Sequence, residues 1–257
     1  MQDGFGLTIL IIFIVAMTAA FIRRTVKDKC LKSLSGYPVV LEIASGKLVW
    51  GILRVENTGF ELTYDIPHQD VQGHTENSFL LYKSEYDQII MLSRFENALS
   101  SAGAEKRRQT IDKIHHPGFF KRSQRKVANF FNTLKDSVLE VVDLVIGQAK
   151  RSSYGSLLAS NEKYVSKLKT EVFGSFGTSF EPLLERHIGN RVVLEVKRNG
   201  QIHEYCGILK EYTADFIELM DVTHSYEGFT EKWPEWAQKT ADLVAPRRLA
   251  TVRHLAE

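Results

Sequence analysis

The chain has 257 residues, 44% of them hydrophobic, so it can form one large or two small domains and is too apolar for general disorder. Its 33 basic and 31 acidic residues leave a formal charge of +2, which excludes a nucleic-acid role founded on net charge alone. The only two cysteines, Cys30 and Cys206, exclude a disulfide framework or a multi-cysteine zinc site and fit a reducing compartment.

The first predicted element is residues 5–22, FGLTILIIFIVAMTAAFI, an uncharged run that would make roughly 27 Å of helix. No basic residue precedes it and no clear small-residue cleavage site follows, which favours an anchor over a removed signal. Asp3 lies before the run and Arg23, Arg24, Lys27 and Lys29 lie after it. The expected topology is therefore a single-pass membrane protein, with residues 1–4 outside and the domains after the span cytoplasmic.

Next, TVKDKCLKSLSG at 25–36 predicts a short helix ending at Gly36. Strands follow at 39–43 and 47–54, joined by a turn at Ser45-Gly46, and the second contains Trp50 and Gly51. A glycine inside a strand pattern predicts a bend, which a small barrel needs in order to close. A third strand at 59–64, a polar loop at 65–77, and strands at 78–82 and 89–95 complete a five-stranded barrel over 23–96.

Residues 97–179 read as a helical middle region, interrupted by HHPGFF at 115–120 and GSFGTSF at 174–180. Its basic block, Lys106, Arg107, Arg108, Lys113, Lys121, Arg122, Arg125 and Lys126, is opposed by only Glu105 and Asp112. A solvated helix face is the plain explanation of such a block. Beside a membrane anchor, however, each Lys or Arg near anionic headgroups adds about 1 kcal/mol, so membrane lipid is an expected partner and nucleic acid an open alternative. From Val127 onward, Phe130, Phe131, Leu134, Val138, Val141, Val142 and Val145 fall on one helical stripe, to be buried against a second copy or a helix in 156–173.

Residues 180–257 repeat the first module: a helix at 180–187, Gly189, strands at 191–197 and 204–211 around Asn199-Gly200, a third strand at 216–220, a loop at 221–240, and a final pair in ADLVAP and LATVRHL. VVLE, G-I-L and F-E-L or I-E-L recur in order about 155 residues apart, which predicts an internal duplication. The stretch PLLERHIGNRVVLEVKRNGQIHEYCGIL resembles the opening of an Sm-like (LSm) fold, a short helix before a bent five-stranded barrel; the pattern is shared with other small barrels, including the one below the pore of small mechanosensitive channels. The family's RNA-reading residues do not carry over. Asn57 and Glu61 stand near those positions in the first copy and Thr213 and Glu218 in the second, and the later Arg-Gly pair is missing.

The resulting expectation is an α+β chain: one N-terminal transmembrane helix and two Sm-like five-stranded β-barrels separated by a helical segment. The resemblance implies that neighbours pair the edges of fourth and fifth strands, which makes Phe79, Leu81, Ile90, Leu92, Leu243 and Thr251 the edge candidates for a homo-oligomer. No catalytic or metal residue and no cofactor is expected. His68, Asp70, His74 and Glu76 do not have the spacing of a closed metal site, and no phosphate cradle or nucleophile motif is present. His68, His74, Trp233 and Trp236 lie in the long loops and are candidates for a protein partner. The expected function is a membrane-anchored, non-enzymatic scaffold that assembles through its barrels. A membrane-tethered RNA-binding protein is the alternative, and a channel-like pore subunit comes third.

Overall fold

Local chemistry sets the first elements. In the computed structural model, which describes residues 27–115, 181–225 and 238–256, Asp28 caps helix α1 (Lys29–Leu34) by accepting hydrogen bonds from the backbone N–H groups of Cys30 and Leu31. Gly36, at φ 85°, ends the helix and turns the chain into β1 (Pro38–Ile43). The chain then runs through β2 (Leu48–Val55), β3 (Gly59–Gln69), β4 (Thr75–Tyr82), a 3-10 turn, and β5 (Ile89–Phe95). A second 3-10 turn leads into α2 (Ser101–His115).

The second half repeats this order: α3 (Pro182–Arg186), then β6 (Arg191–Arg198), β7 (Gln201–Tyr212), β8 (Phe216–Ser225), β9 (Gln238–Pro246) and β10 (Ala250–Leu255). Asn199 and Gly200 both have positive φ in the β6–β7 hairpin, as a two-residue turn matching the strand twist requires. Gly51 and Gly207 let the third strand of each half approach the second closely. A Cβ on Gly51 would lie 2.4 Å from the Thr63 carbonyl oxygen, and one on Gly207 would lie 2.4 Å from Val222 Cγ2.

The fold corrects the expected class. The ten strands form one antiparallel sheet in the order β10-β6-β7-β8-β9-β5-β1-β2-β3-β4, not two closed five-stranded barrels. Within each half the fifth strand pairs with the first, but the fourth does not pair back onto the fifth. The physical reason is an edge exchange. β5 takes β9 as its outer neighbour, with Leu92 opposite Val244, Ser93 opposite Leu243, Arg94 opposite Asp242 and Phe95 opposite Ala241, so closure of the first half on itself is replaced by pairing with the second. Strands dominate the described residues and the helices are short, so α+β gives way to a mainly β architecture.

The single-pass membrane localisation is corrected as well. Among the described residues no helix is long and apolar enough to cross a membrane, and the longest, α2, has 15 residues and carries Lys106, Arg107, Arg108, Asp112 and Lys113. The run at 5–22 lies outside the described residues, as do the apolar stripe from Val127 and the helix expected in 156–173. The expected loop at 65–77 is largely strand: β3 continues to Gln69, β4 begins at Thr75, and His68 is the register partner of Glu76.

Two apolar clusters form the core, and each borrows from the other half. The first consists of first-half residues such as Leu31, Leu41, Leu53, Leu62 and Leu92, together with Phe216 and Val244 from the second. The other consists of second-half residues such as Leu194, Leu209 and Leu219, together with Val40, Ile90, Met91 and Phe95 from the first. This exchange makes the described residues a single compact unit.

Candidate functional site

Among the described residues, the β5–β9 junction is the most chemically specified place. Arg94 on β5 and Asp242 on β9 face each other in register, both buried, with Nη2 2.6 Å and Nε 3.1 Å from Oδ2. Arg94 also donates to the Ser33 carbonyl at the end of α1 and stacks its guanidinium 4.9 Å from the Tyr37 ring centroid. Asp242 accepts a second guanidinium: Arg107 of α2 places Nε 3.1 Å from both carboxylate oxygens. Burial works against the Arg107 charge, yet Asp242, with help from Glu96 and Asp221, raises its pKa above the usual value. Asp221, held at φ 59° at a bulge in β8, donates its N–H to Asp242 and accepts from Arg191 at 2.7 Å. One buried carboxylate thus ties together β5, α2, β8 and β9.

A second polar group crosses the same junction. Glu218 on β8 is fully buried and accepts both the Ser33 hydroxyl of α1 and Lys210 Nζ, the latter at 2.7 Å. Burial pushes its pKa up, while Lys210 and Ser33 pull it back. Glu42 on β1 meets Arg198 at the β6–β7 hairpin. His224 lies between Phe95 and Tyr205, with ring centroids 6.0 Å and 5.4 Å away, and burial depresses its pKa to about 4.

The two outer strands are built differently from this interior pair. On β4 the side chains of Leu80 and Tyr82 are exposed, while Leu81 points into the core. Leu255 on β10 and Leu183 of the neighbouring α3 are exposed, and a groove of about 280 Å³ runs between α3 and β10, with Leu184, Ile217 and Ala250 in its wall. Exposed apolar side chains at open strand edges are what a pairing surface presents.

The sequence-derived edge candidates divide accordingly. Leu92 and Leu243 lie in the internal junction, Ile90 is buried in the second half's core cluster, Phe79 and Leu81 lie on open β4, and Thr251 is exposed on open β10. Of the basic block, Lys106, Arg108 and Lys113 are exposed on α2, whereas Arg107 is buried and committed to Asp242; Lys121, Arg122, Arg125 and Lys126 lie outside the described residues. His74 sits at the tip of the β3–β4 hairpin, its Nδ1 3.0 Å from Asp70 Oδ2. That hydrogen bond lowers the Asp70 pKa. His68 belongs to β3, and Trp233 and Trp236 lie outside the described residues. Among the described residues no group of three or more His, Cys, Asp or Glu could hold a metal ion.

Sequence reasoning missed Asp242 and Arg94, and it noted Glu218 only as standing near a lost RNA-reading position. A charged residue inside an apolar strand pattern was the available signal: Arg94 in IIMLSRF, Asp242 in ADLVAP, Glu218 in FIEL. No family model matches the chain, and neither a curated protein nor a solved structure matches it.

Proposed function

We propose that this protein is a non-enzymatic assembly scaffold built from two fused Sm-like modules, and that it associates through the strand edges left open at the ends of its sheet. The observation that carries this reading is the asymmetry of edge use. One fourth-strand edge (β9) and one fifth-strand edge (β5) are consumed internally, while among the described residues the remaining fourth strand (β4) and fifth strand (β10) end the sheet. Repetition of a short helix followed by five strands in each half supports the Sm-like reading. Among the described residues no strand pairs with the outer edge of β4 or β10, and exposed Leu80, Tyr82 and Leu255 there invite another chain.

The test is the particle mass of the full-length protein by light scattering and sedimentation, before and after nuclease treatment. A discrete homo-oligomer unchanged by nuclease is expected. A monomer at micromolar concentration, or a particle that collapses to monomer with nuclease, would overturn the proposal.

A further inference from the structure

The internal junction is a template that the open edges can copy, and position-by-position equivalence between the halves says how. Gly36 corresponds to Gly189, Val39-Val40-Leu41-Glu42 to Val192-Val193-Leu194-Glu195, and Glu61 to Glu218. Glu61 pairs in register with Leu80, and Glu218 with Val244, so Leu80 holds on β4 the place that Val244 holds on β9. Leu41 pairs with Leu92, and Leu194 with Val252, so Val252 holds on β10 the place of Leu92 on β5. In the internal junction Leu92 and Val244 are direct partners and both are fully buried. Their equivalents are unequally covered: Leu80 is 54% exposed and Val252 is half-buried beside the groove.

The helices extend the equivalence. Cys30 of α1 is fully buried at the junction, its thiol against the Phe216 carbonyl, and its counterpart on α3 is Leu183, which is 64% exposed. Ser33 of α1 donates to Glu218; its counterpart is the exposed Arg186, and the counterpart of Glu218 is the half-buried Glu61. An arginine on one open end and a glutamate on the other thus occupy positions already hydrogen-bonded across the internal junction.

We infer that β4 of one chain adds to β10 of a second copy, with Leu80 opposite Val252, Leu80 seated in the α3–β10 groove under Leu183, and Arg186 paired with Glu61. This rests on the assembly reading above and specifies its contact. The arrangement is heterologous, so chains join head to tail and close into a ring or extend. It also lacks two fasteners of the internal junction. Ser78 stands where Asp242 stands, and α2, which supplies Arg107, follows β5 but has no counterpart among the described residues after β10. The contact between chains is therefore more readily reversible than the contact within one.

Cysteine cross-linking of the full chain in a Cys206→Ser background tests this. Leu80→Cys and Val252→Cys, on differently tagged copies, should form a mixed disulfide dimer under mild oxidation, and neither variant should cross-link to itself. Charge exchange supplies a second measurement: Arg186→Glu or Glu61→Arg alone should weaken association at least tenfold, and the two together should restore it. Melting temperatures near that of the parent confirm that each variant is folded. Self-cross-linking of either cysteine variant, or an oligomer with no cross-link and no response to charge reversal, would overturn this junction while leaving assembly standing. A monomeric parent would remove both.

Discussion

Asp242→Asn is the most direct perturbation of the junction. Asparagine keeps the size and one acceptor oxygen but removes the charge that Arg94 and Arg107, both 5% exposed, share. Removing one member of a buried ion pair costs about 3–5 kcal/mol, because the partner stays buried without its counter-charge. Two cations lose their common anion here, and Glu96 and Asp221 at 3.4 Å and 3.8 Å from Arg107 compensate only in part. The expected loss is about 3–5 kcal/mol, or roughly 6–20 °C in Tm at about 2–4 °C per kcal/mol. Urea unfolding followed by circular dichroism at low and high salt is the assay. The loss should be nearly the same at both, since buried pairs are little screened. Glu195→Gln, which removes a pair with the exposed Arg253 at 2.9 Å, is the control and should cost about 0–1 kcal/mol. Adding Arg107→Met to Asp242→Asn should cost less than the sum of the two single losses. If Asp242→Asn costs no more than Glu195→Gln, the charge network does not hold the halves together and the reasoning fails.

The remaining predictions address close packing and pH. Gly51→Ala places a Cβ against the Thr63 carbonyl and should destabilise by about 1–3 kcal/mol or more, exceeding Gly46→Ala, where space is open and only the positive φ is penalised, at about 1–2 kcal/mol; thermal melts of both variants decide. His224 should make the protein acid-sensitive. In the folded chain it stays neutral down to about 4, whereas the unfolded chain takes up a proton near 6.5, so its contribution is intact above 6.5 and is lost as pH falls toward 4, by about 3 kcal/mol in all. The raised carboxyls of Glu42 and Glu218 act in the opposite sense, so the measurement is the difference between the parent and His224→Phe across that window; a constant difference would refute it.

The sequence by itself determined the local elements and their duplication. Strand alternation, Gly36 and Gly189 after the short helices, Asn199-Gly200 in a hairpin, and the in-strand Gly51 and Gly207 are dictated within a few residues by φ preference and side-chain period, and the structure places elements there. The candidate site was legible only in part. Leu92 and Leu243 stood out as edge residues, but in SFLLY nothing local says that Leu81 turns inward and Leu80 outward, because which face is buried depends on what the strand packs against. The middle of the chain shows the same limit at a charge: Arg107 looks like its neighbours Lys106 and Arg108, and only the arrival of Asp242 beneath α2 makes it a buried anchor. Tertiary structure alone decided that two five-strand patterns form one continuous sheet. Edge hydrogen bonds have no address in the sequence. β5 could satisfy them on β4 of its own half or on β9 of the other, and the choice fell to contacts spanning roughly 150 residues: Leu92 on Val244, Arg94 on Asp242, and Phe216 packed into the first half's core.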